Sequence, residues 1–120
     1  MRKRILIVED SELNRDLLVQ IFEEVYDLEL ASDGAEAVRL AAETQPDLIL
    51  MDIGLPEMSG LDAVRAIRAS GASTPIVAVS SHVMPGERDQ ALEAGCDDFV
   101  GKPIDDVLLV AVVEDLLSAP

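Results

Sequence analysis

The stretch LILMD, at residues 48–52, decides the fold, because a short apolar run ends there in a carboxylate. A second run of this kind, ILIVED at residues 5–10, ends in Glu9 and Asp10. Short runs that are apolar at successive positions, without alternation, are typical of strands that helices cover on both faces of a parallel sheet. Ligands of such sheets collect at the carboxyl ends of the strands. The three acids therefore mark the place where function is expected.

Strand-like and helix-like segments alternate along the chain. Strands are predicted at residues 4–8, 28–31, 47–51, 76–79 and 97–100. Helices are predicted at residues 11–24 and 33–43, over residues 61–67, in a segment that ends at Gly95, and at residues 104–117. Five strand–helix repeats with short connections predict a three-layer α/β fold with a parallel sheet and right-handed crossovers.

The common doubly wound order for five strands is 2-1-3-4-5, in which the first and third strands are neighbours. This order brings Glu9, Asp10 and Asp52 together, and it places Ser80 and Lys102 on the same edge. Three neighbouring acids repel one another unless a cation or raised pKa values relieve the repulsion. Carboxylates in an open loop site suit Mg²⁺ or Mn²⁺, and Mg²⁺ completes its shell with phosphate oxygens.

A phosphoryl group is therefore the expected ligand of this edge. Lys102 would supply a positive charge to it and Ser80 a hydrogen bond, because phosphoryl transfer depends on positioning and charge neutralisation. One carboxylate could itself be the nucleophile and form an aspartyl phosphate. Each residue alone also has an ordinary explanation. Asp10 could be a helix cap and Glu9 a solvated strand end, while Ser80 could be a turn residue. Lys102 could be a surface charge, and Asp52 alone could cap or bound a loop. Their joint position at one edge favours a site.

Composition limits the class of protein. The 120 residues suit a single domain over residues 1–120, and 49% of them are hydrophobic. The net charge of −15 works against binding to nucleic acid or to an anionic membrane. Cys96 is the one cysteine, no signal peptide is visible, and no apolar stretch approaches the roughly 20 residues that span a bilayer. We therefore expect a cytoplasmic protein without a membrane span.

Four motifs, in this order and spacing, resemble the receiver domain of two-component response regulators. They are ILIVEDSELNRDLL, PDLILMDIGLPEMSGLD, PIVAVSS and CDDFVGKPI, and together they cover essentially the whole chain. The resemblance implies a flavodoxin-like (βα)₅ fold. It also implies that Asp52 accepts a phosphoryl group from a phosphohistidine of a histidine kinase or a phosphotransfer protein. By the same resemblance, Asp10 is a direct metal ligand, Glu9 holds the metal through water, and the carbonyl of Gly54 is a further ligand.

The resemblance also implies a switch. Ser80 matches the hydroxyl that moves to the phosphoryl oxygen, Lys102 the lysine that contacts it, and Phe99 the switch aromatic, although plain core packing explains Phe99 nearly as well. The Lys102–Pro103 bond is often cis in the family. Gly54 and His82 depart from common usage at two positions that tune the lifetime of the aspartyl phosphate. We hypothesise that His82 overhangs the phosphoryl group; an exposed loop histidine is the simpler alternative.

In length and phrasing the chain resembles the stand-alone DivK type, which controls histidine kinases and other protein partners. Output would then come through protein contacts, with no DNA-binding unit and with a downstream partner whose surface is basic or apolar. A receiver excised from a hybrid kinase or a longer regulator would look much the same. A small phosphatase of the haloacid dehalogenase type is less favoured, because Gly54 stands where its second aspartate is needed. A flavodoxin-like cofactor binder is disfavoured by the acids after the first strand.

Overall fold

The computed structural model describes residues 2–55, 58–80 and 85–118. Its strands form one parallel sheet in the order β2-β1-β3-β4-β5, which confirms the predicted doubly wound order. The strands are β1 (Arg4–Val8), β2 (Asp27–Ala31), β3 (Leu48–Asp52), β4 (Ile76–Ser80) and β5 (Asp98–Gly101). The helices of the described residues are α1 (Glu12–Phe22), α2 (Gly34–Thr44), α3 (Gly60–Ala69), α4 (Glu87–Ala94) and α5 (Asp106–Ser118).

The helices cover both faces of the sheet, which explains why the central strands are apolar at successive positions, apart from Arg4, Asp52 and Ser80 at their ends. One core joins the sheet to α2, α3 and α4, and the other joins it to α1 and α5. Neighbouring residues of a strand point to opposite faces, so Leu6 packs in the first core and Ile7 in the second. All five residues of β3 and all five of β4 are buried. The predicted three-layer arrangement is confirmed.

Several helix boundaries differ from the prediction by one or two residues, and capping explains two of the helix starts. Ser11 is the N-cap of α1, with its hydroxyl accepting the N–H of Asn14, so the helix begins one residue later than expected. Asp10 is therefore not the cap. The side chain of Asp105 likewise accepts the N–H of Leu108, so α5 begins at Asp106 and not at residue 104. Both caps are short polar side chains that satisfy backbone donors of the first helical turn.

The strand register places the acids. Val8 at the end of β1 pairs with Met51 of β3, so the next residues of both strands leave the sheet side by side. β3 itself continues through Asp52, one residue beyond the predicted end, because Asp52 pairs with Val79 of β4. Ser80 pairs with Gly101, immediately before Lys102. Among the described residues, no helix combines the length and the apolar character needed to cross a bilayer.

Candidate functional site

Three carboxylates converge at the carboxyl edge of the sheet. Glu9, Asp10 and Asp52 each offer a carboxylate oxygen, and these oxygens all lie within 4.8 Å of one another. Glu9 and Asp52 are buried, whereas Asp10 is exposed. The convergence predicted from the strand order is therefore present, with one acid open to solvent and two enclosed.

Lys102 lies among these acids and is closer to Glu9 than to Asp52. Its Nζ is 3.0 Å from Glu9 Oε2 and 3.7 Å from Asp52 Oδ2. The other oxygen of Glu9, Oε1, accepts the N–H of Ser11 at 3.2 Å. The buried charge of Glu9 is thus compensated by an ammonium group and by the backbone at the start of α1.

The Asp52 carboxylate is compensated less completely. Its Oδ1 accepts the N–H of Gly54 at 2.9 Å, and Lys102 approaches Oδ2 at a longer distance. Burial raises the pKa of the Asp52 carboxyl, and the charge of Glu9 raises it further, against the opposing effects of the Gly54 hydrogen bond and of Lys102. The site therefore has an excess of negative charge that a bound cation would relieve.

Ser80 is joined both to Lys102 and to helix α4. The side chain of Ser80 is buried at the end of β4, and its hydroxyl donates to Glu87 Oε1 in the first turn of α4. The carbonyl of Ser80 accepts the N–H of Lys102. The Lys102–Pro103 peptide bond is cis, as the resemblance implies. The predicted hydroxyl and the predicted lysine thus leave the sheet as neighbours.

Three further residues were predicted to belong to the site, namely Phe99, Gly54 and His82. Phe99 is buried in the core beneath α4, so its side chain contributes to packing, and its switch role stays a prediction. The backbone of Gly54 lies against Asp52, but the structure does not test its carbonyl as a metal ligand. His82 lies outside the described residues.

Two residues of the site were not predicted from the sequence. Glu87 was not among the predicted site residues, and its contact with Ser80 has no local sequence signal. Gly60 precedes the helix predicted over residues 61–67, but it begins α3, and a Cβ there would lie 2.3 Å from the carbonyl oxygen of Asp52 and 2.5 Å from the Cα of Ile53. Glycine is required at this position because α3 begins directly against the backbone of Asp52.

The donor set fits a small, hard divalent cation. Three carboxylates, one of them exposed, leave room for bound water, which Mg²⁺ retains in most protein sites. Sulfur and imidazole donors, which favour softer metals, are absent from this cluster as far as the described residues go. Glu9, Asp10 and Asp52 are thus suitable ligands for Mg²⁺.

Comparison with protein families identifies the chain. The protein-family model described as the response regulator receiver domain matches residues 5–114 of the chain. The chain belongs to this family. It is a receiver domain of two-component signalling, a class of domain that takes phosphoryl groups from histidine kinases or phosphotransfer proteins and binds Mg²⁺ in its active site. The resemblance derived from the four motifs is confirmed.

Individual relatives show how receiver domains of this kind are used. The chain is 36% identical to the polar-differentiation response regulator DivK of Brucella anthropi, over 98% of each chain. It is 40% identical to the response regulator PleD of Caulobacter vibrioides, over 97% of this chain and 26% of PleD. The chain therefore spans about a quarter of the length of PleD.

A solved structure supports the fold and the chemistry of the site. The receiver domain of the sensor histidine kinase PA1611 of Pseudomonas aeruginosa is 33% identical and covers 99% of this chain and 100% of its own, with a TM-score of 0.91. That receiver domain has a magnesium ion coordinated in its active-site cleft. The likeness agrees with the flavodoxin-like fold expected for the chain.

Proposed function

We propose that Asp52 of this receiver domain is the phosphoacceptor and that Glu9, Asp10, Asp52 and the carbonyl of Gly54 hold Mg²⁺ or Mn²⁺ beside it. The observation that carries the proposal is the convergence of three carboxylates within 4.8 Å, with Lys102 Nζ 3.7 Å from Asp52 Oδ2. The bound cation would neutralise charge on the phosphoryl oxygens during transfer.

The residues of the chain have distinct roles in this transfer. An oxygen of the Asp52 carboxylate attacks phosphorus, the bond between phosphorus and the donor imidazole nitrogen breaks, and the electron pair of that bond leaves with the imidazole. The product is an acyl phosphate on Asp52. Lys102 lies within reach of the added negative charge, and Ser80 is the hydroxyl that can donate to a phosphoryl oxygen. Phe99 is proposed as the switch aromatic, coupled to the movement of Ser80.

Incubation with Mg²⁺ and acetyl phosphate, followed by intact-mass spectrometry, tests the phosphoacceptor. The wild type should gain the mass of one phosphoryl group, and Asp52→Asn should gain none. Asp62→Asn is the matched control, because Asp62 is an exposed acid paired with Arg65 on α3. A wild type that stays unmodified, or equal labelling of Asp52→Asn, would contradict the proposal.

Calorimetry tests the metal site without relying on phosphorylation. The chain has no tryptophan, so quenching of tryptophan fluorescence cannot report binding. Titration of Mg²⁺ or Mn²⁺ should show one binding event in the wild type, and Asp10→Asn should weaken it about tenfold or more. An unchanged affinity in Asp10→Asn would exclude Asp10 as a ligand.

We propose that the 120 residues act as one cytoplasmic domain, a stand-alone regulator whose output is protein contact, without nucleic acid or membrane as a partner. The match to DivK over 98% of both chains supports this arrangement, whereas PleD supports the alternative of a receiver within a longer regulator. The length of the endogenous protein on an immunoblot distinguishes a stand-alone regulator from a receiver within a longer regulator. We propose no enzymatic activity beyond autophosphorylation and dephosphorylation.

Gly54 and His82 are proposed to set the lifetime of the aspartyl phosphate. Gly54 supports this role by position, because a Cβ there would lie 3.5 Å from Asp52 Oδ1, at ordinary contact distance from the acceptor. His82→Ala should change the rate at which phosphorylated protein loses its phosphoryl group after removal of acetyl phosphate. An unchanged rate would remove His82 from the proposal.

A further inference from the structure

We propose that Met58 is a positioning residue for the metal site, because its side chain holds the start of α3 against the start of α2 and thereby fixes the backbone at Asp52. The inference rests on the proposed function of Asp52 as phosphoacceptor and metal ligand. It starts from one close contact at Gly34, the first residue of α2. A Cβ built on Gly34 would lie 3.0 Å from Met58 Cγ, 3.1 Å from Met58 Sδ and 3.2 Å from Met58 Cβ.

The space that Met58 occupies exists because residue 34 is a glycine. Gly34 is buried in the first turn of α2, and its φ lies outside the left-handed region, so its backbone would accept an alanine. Helix propensity by itself also favours alanine over glycine in a helix. The three side-chain atoms of Met58, however, lie closer to the place of the missing Cβ than ordinary van der Waals contact. The contact with Met58, and not the backbone, therefore explains this glycine.

The contact reaches Asp52 through the first residues of α3. Met58 directly precedes Ser59, whose hydroxyl caps α3. The next residue, Gly60, donates its N–H to the carbonyl of Ile53 at 3.4 Å. Gly60 also approaches Asp52 so closely that a Cβ would lie 2.3 Å from the Asp52 carbonyl oxygen. Because these backbones touch directly, a shift of Met58 away from α2 would displace the backbone at the proposed phosphoacceptor.

The backbone that follows Asp52 carries groups on which the metal site depends. The N–H of Gly54 donates to Asp52 Oδ1 at 2.9 Å, and the carbonyl of Gly54 is one of the proposed ligands. Mg²⁺ demands near-ideal octahedral geometry, so a small displacement of its ligands lowers its affinity. Met58 itself offers no hard oxygen donor to the cation. It acts on the metal only by fixing where the backbone of Asp52 and Gly54 lies.

Calorimetric titration of Mg²⁺ into variants of the full chain tests the positioning role. Met58→Ala should weaken Mg²⁺ binding about tenfold, because the start of α3 loses its contact with α2. Gly34→Ala should weaken it about threefold or more, because the added Cβ displaces the Met58 side chain. The double variant should bind Mg²⁺ no more weakly than Met58→Ala alone, because alanine at position 58 removes the two atoms closest to the new Cβ.

Leu40→Ala is the matched control, which separates positioning from a general loss of stability. Leu40 is a partly buried residue of α2 that packs against the same core as Met58. Leu40→Ala and Met58→Ala should therefore lower the free energy of unfolding in urea by similar amounts. Mg²⁺ affinity, measured where each variant is fully folded, should be unchanged in Leu40→Ala. Gly34→Ala should also lose stability, against its helix propensity, and adding Met58→Ala should not add a second loss of the same size.

Three outcomes would overturn the inference. The first is an Mg²⁺ affinity in Met58→Ala or in Gly34→Ala equal to that of the wild type. The second is equal weakening of Mg²⁺ binding by Leu40→Ala, which would assign the effect to lost stability. The third is a double variant in which the two losses of affinity multiply, because Gly34 and Met58 would then act independently. A wild type that binds no Mg²⁺ would contradict the proposed metal site itself, so the two failures are distinguishable.

Discussion

The two ends of the sheet both contain paired charges, but they compensate those charges differently. At the amino ends of β4 and β5, Arg68 Nη2 lies 3.0 Å from Asp97 Oδ2, and the same guanidinium donates to the carbonyls of Gly95 and Ala72. Asp97 Oδ2 also accepts the N–H of Ile76. At the carboxyl ends, Lys102 is divided between Glu9 and Asp52, with a third carboxylate nearby.

The difference separates a structural cluster from a functional one. Arg68 joins α3 to the segment before β5 through three donors that each have an acceptor, so this cluster has little capacity for a ligand. The carboxyl end retains an excess of negative charge that suits a cation, and burial, together with the charge of Glu9, raises the pKa of Asp52. Removing a charge from the Arg68 cluster should therefore lower the free energy of unfolding. At the carboxyl end, the effect should depend on whether the lysine or a carboxylate is removed.

The largest effect is expected from Lys102→Met. Glu9 is buried and would lose the ammonium group 3.0 Å from its Oε2, and breaking a buried ion pair costs about 3–5 kcal/mol. Urea denaturation should show this loss without metal, and Mg²⁺ should recover part of it by compensating the acids. Labelling of Asp52 by acetyl phosphate should fall about 100-fold.

The other lysine of the chain provides the control. Lys3 is exposed, and Lys3→Met should change the free energy of unfolding by no more than about 0.5 kcal/mol. Adding Glu9→Gln to Lys102→Met should restore stability, because the uncompensated charge is then gone. If Glu9→Gln gives no recovery, the ion pair does not account for the effect of Lys102.

The next largest effect is expected from Gly60→Ala. The added Cβ would overlap the backbone of Asp52 and Ile53, so α3 must shift, at a cost of about 1–3 kcal/mol in the free energy of unfolding. Gly54→Ala is the matched control, because its Cβ meets Asp52 Oδ1 at an ordinary 3.5 Å; it should cost about 0.5 kcal/mol or less. Equal losses in the two variants, measured in urea, would contradict the close approach.

Arg68→Ala tests the amino end of the sheet. It should lower the free energy of unfolding by about 1.5–2 kcal/mol, because three acceptors and the packing of its stem are lost, but Mg²⁺ affinity and labelling of Asp52 should be unchanged. Arg65→Ala, which removes an exposed pair on the same helix, should cost about 0.5 kcal/mol or less. A loss of labelling in Arg68→Ala would show that the two ends are coupled.

The sheet could be predicted because each strand is visible within a short stretch of sequence. Apolar runs at residues 5–8 and 48–51 are long enough for strands and too uniform for an exposed face. The order 2-1-3-4-5 was adopted as the common one for five strand–helix repeats, and the structure confirms it. The meeting of Glu9, Asp10 and Asp52 follows in turn, because all three end neighbouring strands. These predictions required no knowledge of side-chain packing.

The contacts that the sequence did not predict depend on where distant side chains point. Lys102 was expected near a phosphoryl group, but its closest partner is Glu9, 93 positions earlier in the chain. The hydrogen bond from Ser80 to Glu87 depends on the orientation of α4, and the need for Gly60 depends on how closely α3 approaches β3. Such contacts are set by packing in three dimensions and leave no periodic pattern in the sequence.

The smallest effect is expected from Asp52→Asn, and it should be stabilising. Because folding raises the pKa of the Asp52 carboxyl, its contribution to stability is fully present below the unfolded pKa and is lost as the pH rises through the folded pKa. Asparagine keeps an oxygen to accept the Gly54 N–H and carries no charge at any pH. At pH 7 without metal, Asp52→Asn should therefore melt about 2–5 °C above the wild type.

Lowering the pH and adding Mg²⁺ should each remove the higher melting temperature of Asp52→Asn. As the pH falls through the folded pKa of Asp52, the wild type becomes neutral at this position and the two melting temperatures should converge. Saturating Mg²⁺ should have a similar effect at pH 7, because it compensates the carboxylate in the wild type and binds the variant less tightly. A variant that melts below the wild type at pH 7 without metal would show that Lys102 already compensates Asp52, and the contrast between the two ends of the sheet would then disappear.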